Sequence, residues 1–171
     1  LSPQSKLYAE KIKIYKTLES TNKTAKEMAV AGAEHGTVII ADSQTKGRGR
    51  YSRSYFSPSG GLYMSIILRP EVLNFENPTS VTAFAAVAVC EAIESISEKT
   101  PKIKWVNDIY AGNKKLCGIL TEAAINVEQG GLEYAIVGIG LNVQNTSFPK
   151  SISDIATSLY LETGEKVSRS I

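Results

Sequence analysis

The sequence predicts an α+β fold: a mixed, mostly antiparallel sheet with helices packed on one face. Three observations carry that expectation. Short apolar runs of strand length recur along the chain, and glycine-containing turns at Gly112-Asn113 and Gly130-Gly131 join several of them as hairpins. Val81, Phe84, Ala85, Ala88, Val89, Ala92, Ile93 and Ile96 follow helical spacing over four turns. Two shorter helical patterns flank this material, and strands joined locally with few helices form an α+β layer arrangement.

Taken in order, Lys11 to Lys16 alternates lysines with Ile12 and Ile14, as a half-buried strand does. A helix follows: Ser20, Thr21 and Asn22 are all competent caps, Ala25, Met28 and Ala29 share one face, and Gly32 is placed to end it. Thr37 to Asp42, with Val38, Ile39 and Ile40, reads as a buried strand. Ser43 to Gly61 is rich in Gly, Ser and Arg and too irregular for an element, which makes it a candidate functional loop. Leu62 to Arg69 returns to a strand pattern, and the long helix comes next. Lys102 to Val106, Leu116 to Val127 and Leu132 to Val143 are further strands, and a last helix is expected from a cap near Ser153 to Gly164. Trp105 is expected to be core packing.

At 171 residues with 43% hydrophobic and 21% charged side chains, the chain has the usage of one globular domain that needs no metal or disulfide to hold its core. Cys90 and Cys117 form no CxxC, so no disulfide framework or thiolate metal cage is legible, and a reducing cytoplasm is the expected location. The longest unbroken apolar run, Ala83 to Cys90, is far shorter than the roughly 18 residues of a membrane span, so no membrane partner is expected. With 19 basic and 17 acidic side chains the net charge is only +2, too small to imply nucleic acid by bulk electrostatics. Local charge says more. Between Asp42 and Glu71 there is no acidic residue, while Lys46, Arg48, Arg50, Arg53 and Arg69 fall in that window.

Lys46-Gly47-Arg48-Gly49-Arg50 sets cations on alternate positions, separated by glycines that let backbone approach a dense anion. It lacks the Gly-Lys-Ser/Thr of a phosphate loop and the third glycine of a dinucleotide fingerprint. On its own it equally fits a solvated basic loop, or a nucleic-acid contact in which Tyr51, Tyr55 and Phe56 stack on bases. Asn107-Asp108 alone is ordinary turn chemistry. Gly118, Gly138 and Gly140 inside strands signal a bulge, tight packing or a ligand against the backbone. No motif pairs a nucleophile with a base, and the sole histidine, His35, lies away from all of them.

The order of these weak motifs is more specific than any of them. Ser20-Thr21-Asn22, Gln44 followed by Gly47-Arg48-Gly49-Arg50, Lys104-Trp105-x-Asn107-Asp108, Lys115-x-x-Gly118-Ile119-Leu120 and Gly138-x-Gly140-x-Asn142 together resemble the catalytic domain of biotin protein ligases, from about Lys11 to about Gly164. The resemblance implies the fold that family shares with lipoate ligases and class II aminoacyl-tRNA synthetases. It implies a single catalytic domain over 1–171, with no DNA-binding module before it and without the small C-terminal β domain of the family. It also implies two steps: biotin and Mg-ATP form biotinyl-5′-adenylate and pyrophosphate, then a lysine of a biotin carboxyl carrier protein takes the biotinyl group. The cofactors implied are ATP and Mg2+, with biotin as substrate; no metal site is legible in the protein, and a homodimer is left open.

Carried over by position, Ser20, Thr21, Asn22, Gln44, Arg48, Gly49, Arg50, Lys115, Gly118, Leu120, Gly138 and Gly140 match the biotin site. Arg48, Arg50, Arg53, Tyr55, Asn107, Lys115 and Asn142 match the ATP and adenylate site, and Lys115, Arg50 and Asp108 the catalytic groups. Asp108 has two candidate roles, holding the arginine loop or accepting the proton of the acceptor lysine. Val106 stands where the family has proline, and Tyr55 where it has tryptophan. Two alternatives remain at this point: a lipoate or octanoate-type acyl ligase of the same fold, although the Arg-Arg-x-Ser-Gly-Gly-Gly loop of that branch is not found, and a non-catalytic nucleic-acid-binding module.

Overall fold

The computed structural model describes residues 9–70, 78–125 and 131–169. It contains one seven-stranded sheet in the order β1-β2-β3-β7-β6-β5-β4. The strands are β1 (Ile12–Leu18), β2 (Val38–Gln44), β3 (Leu62–Leu68), β4 (Lys102–Lys104), β5 (Asp108–Ala111), β6 (Lys114–Ile125) and β7 (Leu132–Leu141). Only β1 and β2 run parallel; every other neighbouring pair is antiparallel. The helices are α1 (Thr21–Val30), α2 (Pro78–Ile96) and α3 (Leu159–Thr163). The α+β class and the mixed, mostly antiparallel sheet are those expected.

The helices do not share one face. On β7, Tyr134 and Ile136 pack with Ala25 and Ala29 of α1, whereas Val137 and Leu141 pack with Val81, Ala86 and Ile93 of α2. Successive side chains of a strand point to opposite sides, so α1 covers one face while α2 and Leu159 of α3 cover the other. β7 is accordingly buried on both sides along Tyr134 to Val137. The helical stripe of α2 is also wider than the sheet beneath it. Val81 and Ile93 are buried, but Phe84 is 73% exposed and overhangs β3. By length and apolar composition α2 could cross a bilayer, yet its inner face is built into the core against β6 and β7.

Three local expectations are corrected. The last helix does not begin near Ser153, because that backbone is used elsewhere: Lys115 N–H donates to Ile155 O at 2.7 Å and Thr157 N–H to Lys115 O at 2.9 Å. The helix starts only at Leu159, capped by the Ser158 hydroxyl, and ends at Gly164 with φ +75°. The strand expected over Lys102 to Val106 ends at Lys104 as an exposed edge strand, and Trp105 beyond it is 77% exposed, not core. The strand at Ile12 is likewise a mostly exposed edge. The hairpin at Gly112 is present, with φ +56°. Gly130 and the end of the strand expected to Val127 lie outside the described residues.

The last described residues are pinned to the sheet. Arg169 Nη1 donates to Asp42 Oδ1 at 2.6 Å and to Gly61 O at 3.0 Å, and this guanidinium holds the Asp42 carboxyl below its ordinary range. The folded chain therefore binds this proton less readily than the unfolded one. Its contribution is complete above the unfolded pKa and disappears as pH falls through the lowered folded value. Asp42→Asn should lower stability at pH 7 by at most about 1 kcal/mol, since the pair is part exposed, and the variant and parent should converge in urea melts as pH falls below the lowered folded value.

Candidate active site

The site begins with a hollow that β7 leaves in the sheet. On the α1 face, Tyr63 and Ser65 of β3 lie opposite Gly140 and Gly138 of β7, which in turn lie opposite Gly118 and Leu120 of β6. β7 presents no side chain at either position, and β6 presents none at Gly118. Two residues from elsewhere occupy that trough. Asn22, in the first turn of α1, stands over Gly138, where a Cβ would meet its Oδ1 at 1.9 Å. Tyr55 lies over Gly140 and Gly118, where added Cβ atoms would come within 2.6 and 3.0 Å of its ring, and its hydroxyl donates to Gly140 O at 2.5 Å. Burial pushes the Tyr55 phenol well above its usual range, so it remains a donor at any physiological pH.

The irregular segment after β2 arches over this floor. Its base is fixed where Lys46 N–H donates to Glu19 O at 2.8 Å and Lys46 Nζ to Glu19 Oε1 at 2.5 Å. Lys23 and Lys46 together draw the Glu19 carboxyl down to about 2. The arch closes on itself through Tyr55 N–H to Gly47 O at 2.8 Å and Gly49 N–H to Arg53 O at 2.7 Å. Gly47 has no room for a side chain: a Cβ would lie 2.3 Å from Tyr55 O. At the tip Tyr51 and Ser52 both adopt left-handed backbone, φ 55° and 59°, which costs non-glycine residues about 1 kcal/mol or more each. The turn sets Arg48 and Arg50 inward. Arg50 Nη1 donates to Asn107 Oδ1 at 2.9 Å, and Arg48 Nη1 lies 3.4 Å from Glu122 Oε1.

The third side comes from β5 and β6. Lys115 Nζ is 2.7 Å from Asp108 Oδ1 and 5.8 Å from the Tyr55 ring centre, and Asn107 Nδ2 donates to Asp108 Oδ1 at 2.9 Å. Arg50, Asn107, Asp108 and Lys115 thus form one continuous polar chain across the mouth. The cleft measures about 50 Å3 and is lined by Ser20, Thr21, Asn22 and Gln44, by Arg48 to Arg50 and Tyr55 of the arch, and by Asn107, Lys115, Gly118, Leu120, Gly138 and Gly140. That volume is far below the roughly 300 Å3 or more of small-molecule pockets. In this arrangement Tyr55 and Arg50 of the arch take up space that a small-molecule ligand would need.

Most of the residues expected from sequence meet here. Asp108 is not in the lining but reaches it through Lys115. Arg53 and Asn142 are outside the lining. Asn142 is buried at the end of β7; its Nδ2 donates to Thr157 O at 2.9 Å while its Oδ1 has no protein partner. His35 is structural, accepting from Arg69 N–H at 3.1 Å. Sequence reasoning missed Ser65 and Glu122. Ser65 is fully buried and is the one hydroxyl inside the apolar run Leu62–Leu68 apart from Tyr63, a signal that a buried partner must exist. A larger hollow of about 860 Å3 lies on the opposite face between β3 and α2; its walls are mostly apolar, with Ser95, Ser168 and Arg169 as the polar exceptions.

Comparison with known proteins agrees with this geometry. The profile described as the biotin/lipoate A/B protein ligase family matches residues 14–142. The bifunctional ligase/repressor BirA of Bacillus subtilis is 46% identical over 155 residues, which cover 89% of this chain and 47% of that protein. The biotin–[acetyl-CoA-carboxylase] ligase of Mycobacterium tuberculosis is 33% identical over 148 residues, covering 82% and 51%. The chain thus spans about half the length of the curated relatives it matches. Biotin protein ligase from Aquifex aeolicus, solved in complex with biotin and ATP, superposes with a TM-score of 0.80 at 38% identity over 92% of this chain and 63% of that one. On the profile match across most of its length, the chain belongs to the biotin/lipoate A/B protein ligase family.

Proposed function

We propose that the chain is an ATP-dependent biotin protein ligase domain, which joins biotin to AMP and passes the biotinyl group to a lysine of a carboxyl carrier protein. The observation that carries this reading is the convergence of Arg48, Arg50 and Lys115, from two separate parts of the fold, above a floor of short polar side chains in one cavity. A carboxylate attacking the α-phosphate brings like charges together, and fixed cations at that point lower the barrier without rearranging. Lys115 is held by Asp108 and Arg50 by Asn107, so each is oriented before substrate arrives. This geometry gives Asp108 a role that the sequence did not suggest, positioning Lys115, while it reaches the arginine loop only through Asn107. The relatives named for biotin ligation and the neighbour solved with biotin and ATP support the same reading.

The floor suits the ureido ring. Ser20, Thr21, Asn22 and Gln44 are short polar groups in a water-poor hollow, where a ligand lacking partners would leave each unpaired at about 1 to 3 kcal/mol. For the nucleotide, the unpartnered Oδ1 of buried Asn142 is an acceptor suited to an adenine amino group. Mg2+ is part of the substrate as Mg-ATP and arrives on the phosphates; among the described residues no three His, Cys, Asp or Glu side chains gather to hold a metal. Against a nucleic-acid surface stands the engagement of Arg48 and Arg50, although exposed, with Glu122 and Asn107 across the mouth of the cavity. A reducing cytosol suits Cys90 and buried Cys117, both free thiols.

Isothermal titration with biotin, with and without Mg-ATP, followed by transfer of labelled biotin to a carrier domain, tests the proposal. The expected results are biotin binding, pyrophosphate release dependent on biotin, and labelled carrier. Release with lipoate in place of biotin would move the chain to the acyl-ligase branch of its family.

A further inference from the structure

Beneath the cavity floor lies a row of polar atoms whose hydrogens can be placed by donor and acceptor counting alone. Asn22 Nδ2 donates to Glu122 Oε2 at 2.8 Å and to Leu120 O at 3.3 Å, so its Oδ1 must face the other way, toward Ser65 Oγ at 2.7 Å. The reversed amide would set its oxygen against the carboxylate. Oδ1 carries no hydrogen, so the Ser65 hydroxyl must donate to it. Ser65 has only one hydrogen, and its 2.8 Å contact with Thr21 Oγ1 is then made by the hydrogen of Thr21. The single Thr21 hydroxyl hydrogen has two possible acceptors, Ser65 Oγ at 2.8 Å and Gln44 Oε1 at 3.2 Å; the shorter contact takes it, and Gln44 Oε1 keeps the Thr21 N–H at 2.7 Å. On the opposite side Gln44 Nε2 donates to Ser57 Oγ at 2.9 Å, so this amide too has one allowed orientation.

We propose that Ser65 and Glu122, neither of which lines the cavity, are positioning residues that set specificity: through Asn22 they draw the Thr21 hydrogen inward and leave Thr21 Oγ1 as an acceptor beside Gln44 Oε1, which Ser57 orients independently, so the floor selects a ligand that donates N–H groups. A cyclic urea does so. An isosteric ring oxygen would place lone pair against lone pair. The direction of the whole row is set from its charged end, where Glu122, with the Leu120 carbonyl beside it, accepts from Asn22 Nδ2 and turns that amide one way. This inference rests on the ligase reading for the identity of the ligand.

Titration with biotin and with the cyclic carbamate analogues in which one ureido N–H is a ring oxygen tests it. The parent protein should prefer biotin by about 50-fold or more, because a site built for N–H donors rejects an analogue lacking one strongly. Ser65→Ala frees the Thr21 hydroxyl to rotate and donate; biotin affinity should fall about tenfold and the preference collapse to about fivefold or less. Glu122→Ala, at a part-exposed position, leaves only the longer contact with Leu120 O to orient the Asn22 amide and should lower the preference by a smaller factor than Ser65→Ala, and Glu122→Gln, whose oxygen can still accept from Nδ2, should restore it to within about threefold. A purely structural role would weaken biotin and analogue by the same factor and leave the preference intact, and that result overturns the inference while leaving the ligase reading in place. A parent protein that binds neither compound overturns both.

Discussion

Lys115→Ala is expected to slow biotin-dependent pyrophosphate release by about 10²-fold or more, the scale on which a single preorganised donor to a developing charge contributes. The ammonium group has no structural task large enough to confuse the result. Its pair with Asp108 spans 2.7 Å, but the two side chains are 30% and 24% exposed, and pairs in that setting stabilise a fold by about 1 kcal/mol or less. The variant should therefore melt within a few degrees of the parent. Lys115→Arg keeps the charge but places it on a broader planar group beside Tyr55 and Gly118, and should recover only part of the rate. Asp108→Asn should cost less than Lys115→Ala, because it loosens the orientation of the amine without removing it. Near-normal pyrophosphate release by Lys115→Ala would remove Lys115 from the chemistry.

Much of this arrangement is legible in the chain, and the limits of that legibility are physical. The helix at 81–96, the strands at Val38–Ile40 and Leu62–Leu68 and the turn at Gly112 depend on local periodicity and local backbone freedom, so neighbours in sequence suffice to reveal them. Partners distant in sequence hide the rest. Residues 153–157 look like a helix start until Lys115, forty residues earlier, takes their backbone groups. The two-sided burial of β7 was open to reading, since an unbroken run such as Ala135-Ile136-Val137 belongs to a strand covered on both faces. Glycine at 138 and 140 announces that something presses on the strand, but only the register shows that it is Asn22 at one and Tyr55 at the other. Trp105 misleads because area and aromaticity favour burial, while its place beyond a three-residue edge strand leaves nothing to cover it among the described residues.

The substitution that tests the floor most severely is Gly138→Ala. A methyl there would lie 1.9 Å from Asn22 Oδ1 and 2.7 Å from its Cγ, distances no atoms tolerate, and the strand cannot retreat because β3 and β6 hold it on both sides. Asn22 must leave its place and abandon its bonds to Glu122 and Ser65. Overpacking costs about 1 to 3 kcal/mol and a buried polar group left unpaired about as much again. A loss near 3 kcal/mol is about 6 to 12 °C in melting temperature for a chain of this length. Biotin affinity should fall about 10²-fold or more, since both the space and the donor pattern of the floor change together. A general weakening of the sheet would give the same single-variant result, so the deciding measurement is Asn22→Ala combined with Gly138→Ala. Removing the asparagine makes room for the methyl, and the double variant should melt above Gly138→Ala alone while remaining unable to bind biotin. Two stabilities that simply add would mean that the glycine is required by the sheet rather than by the side chain standing over it.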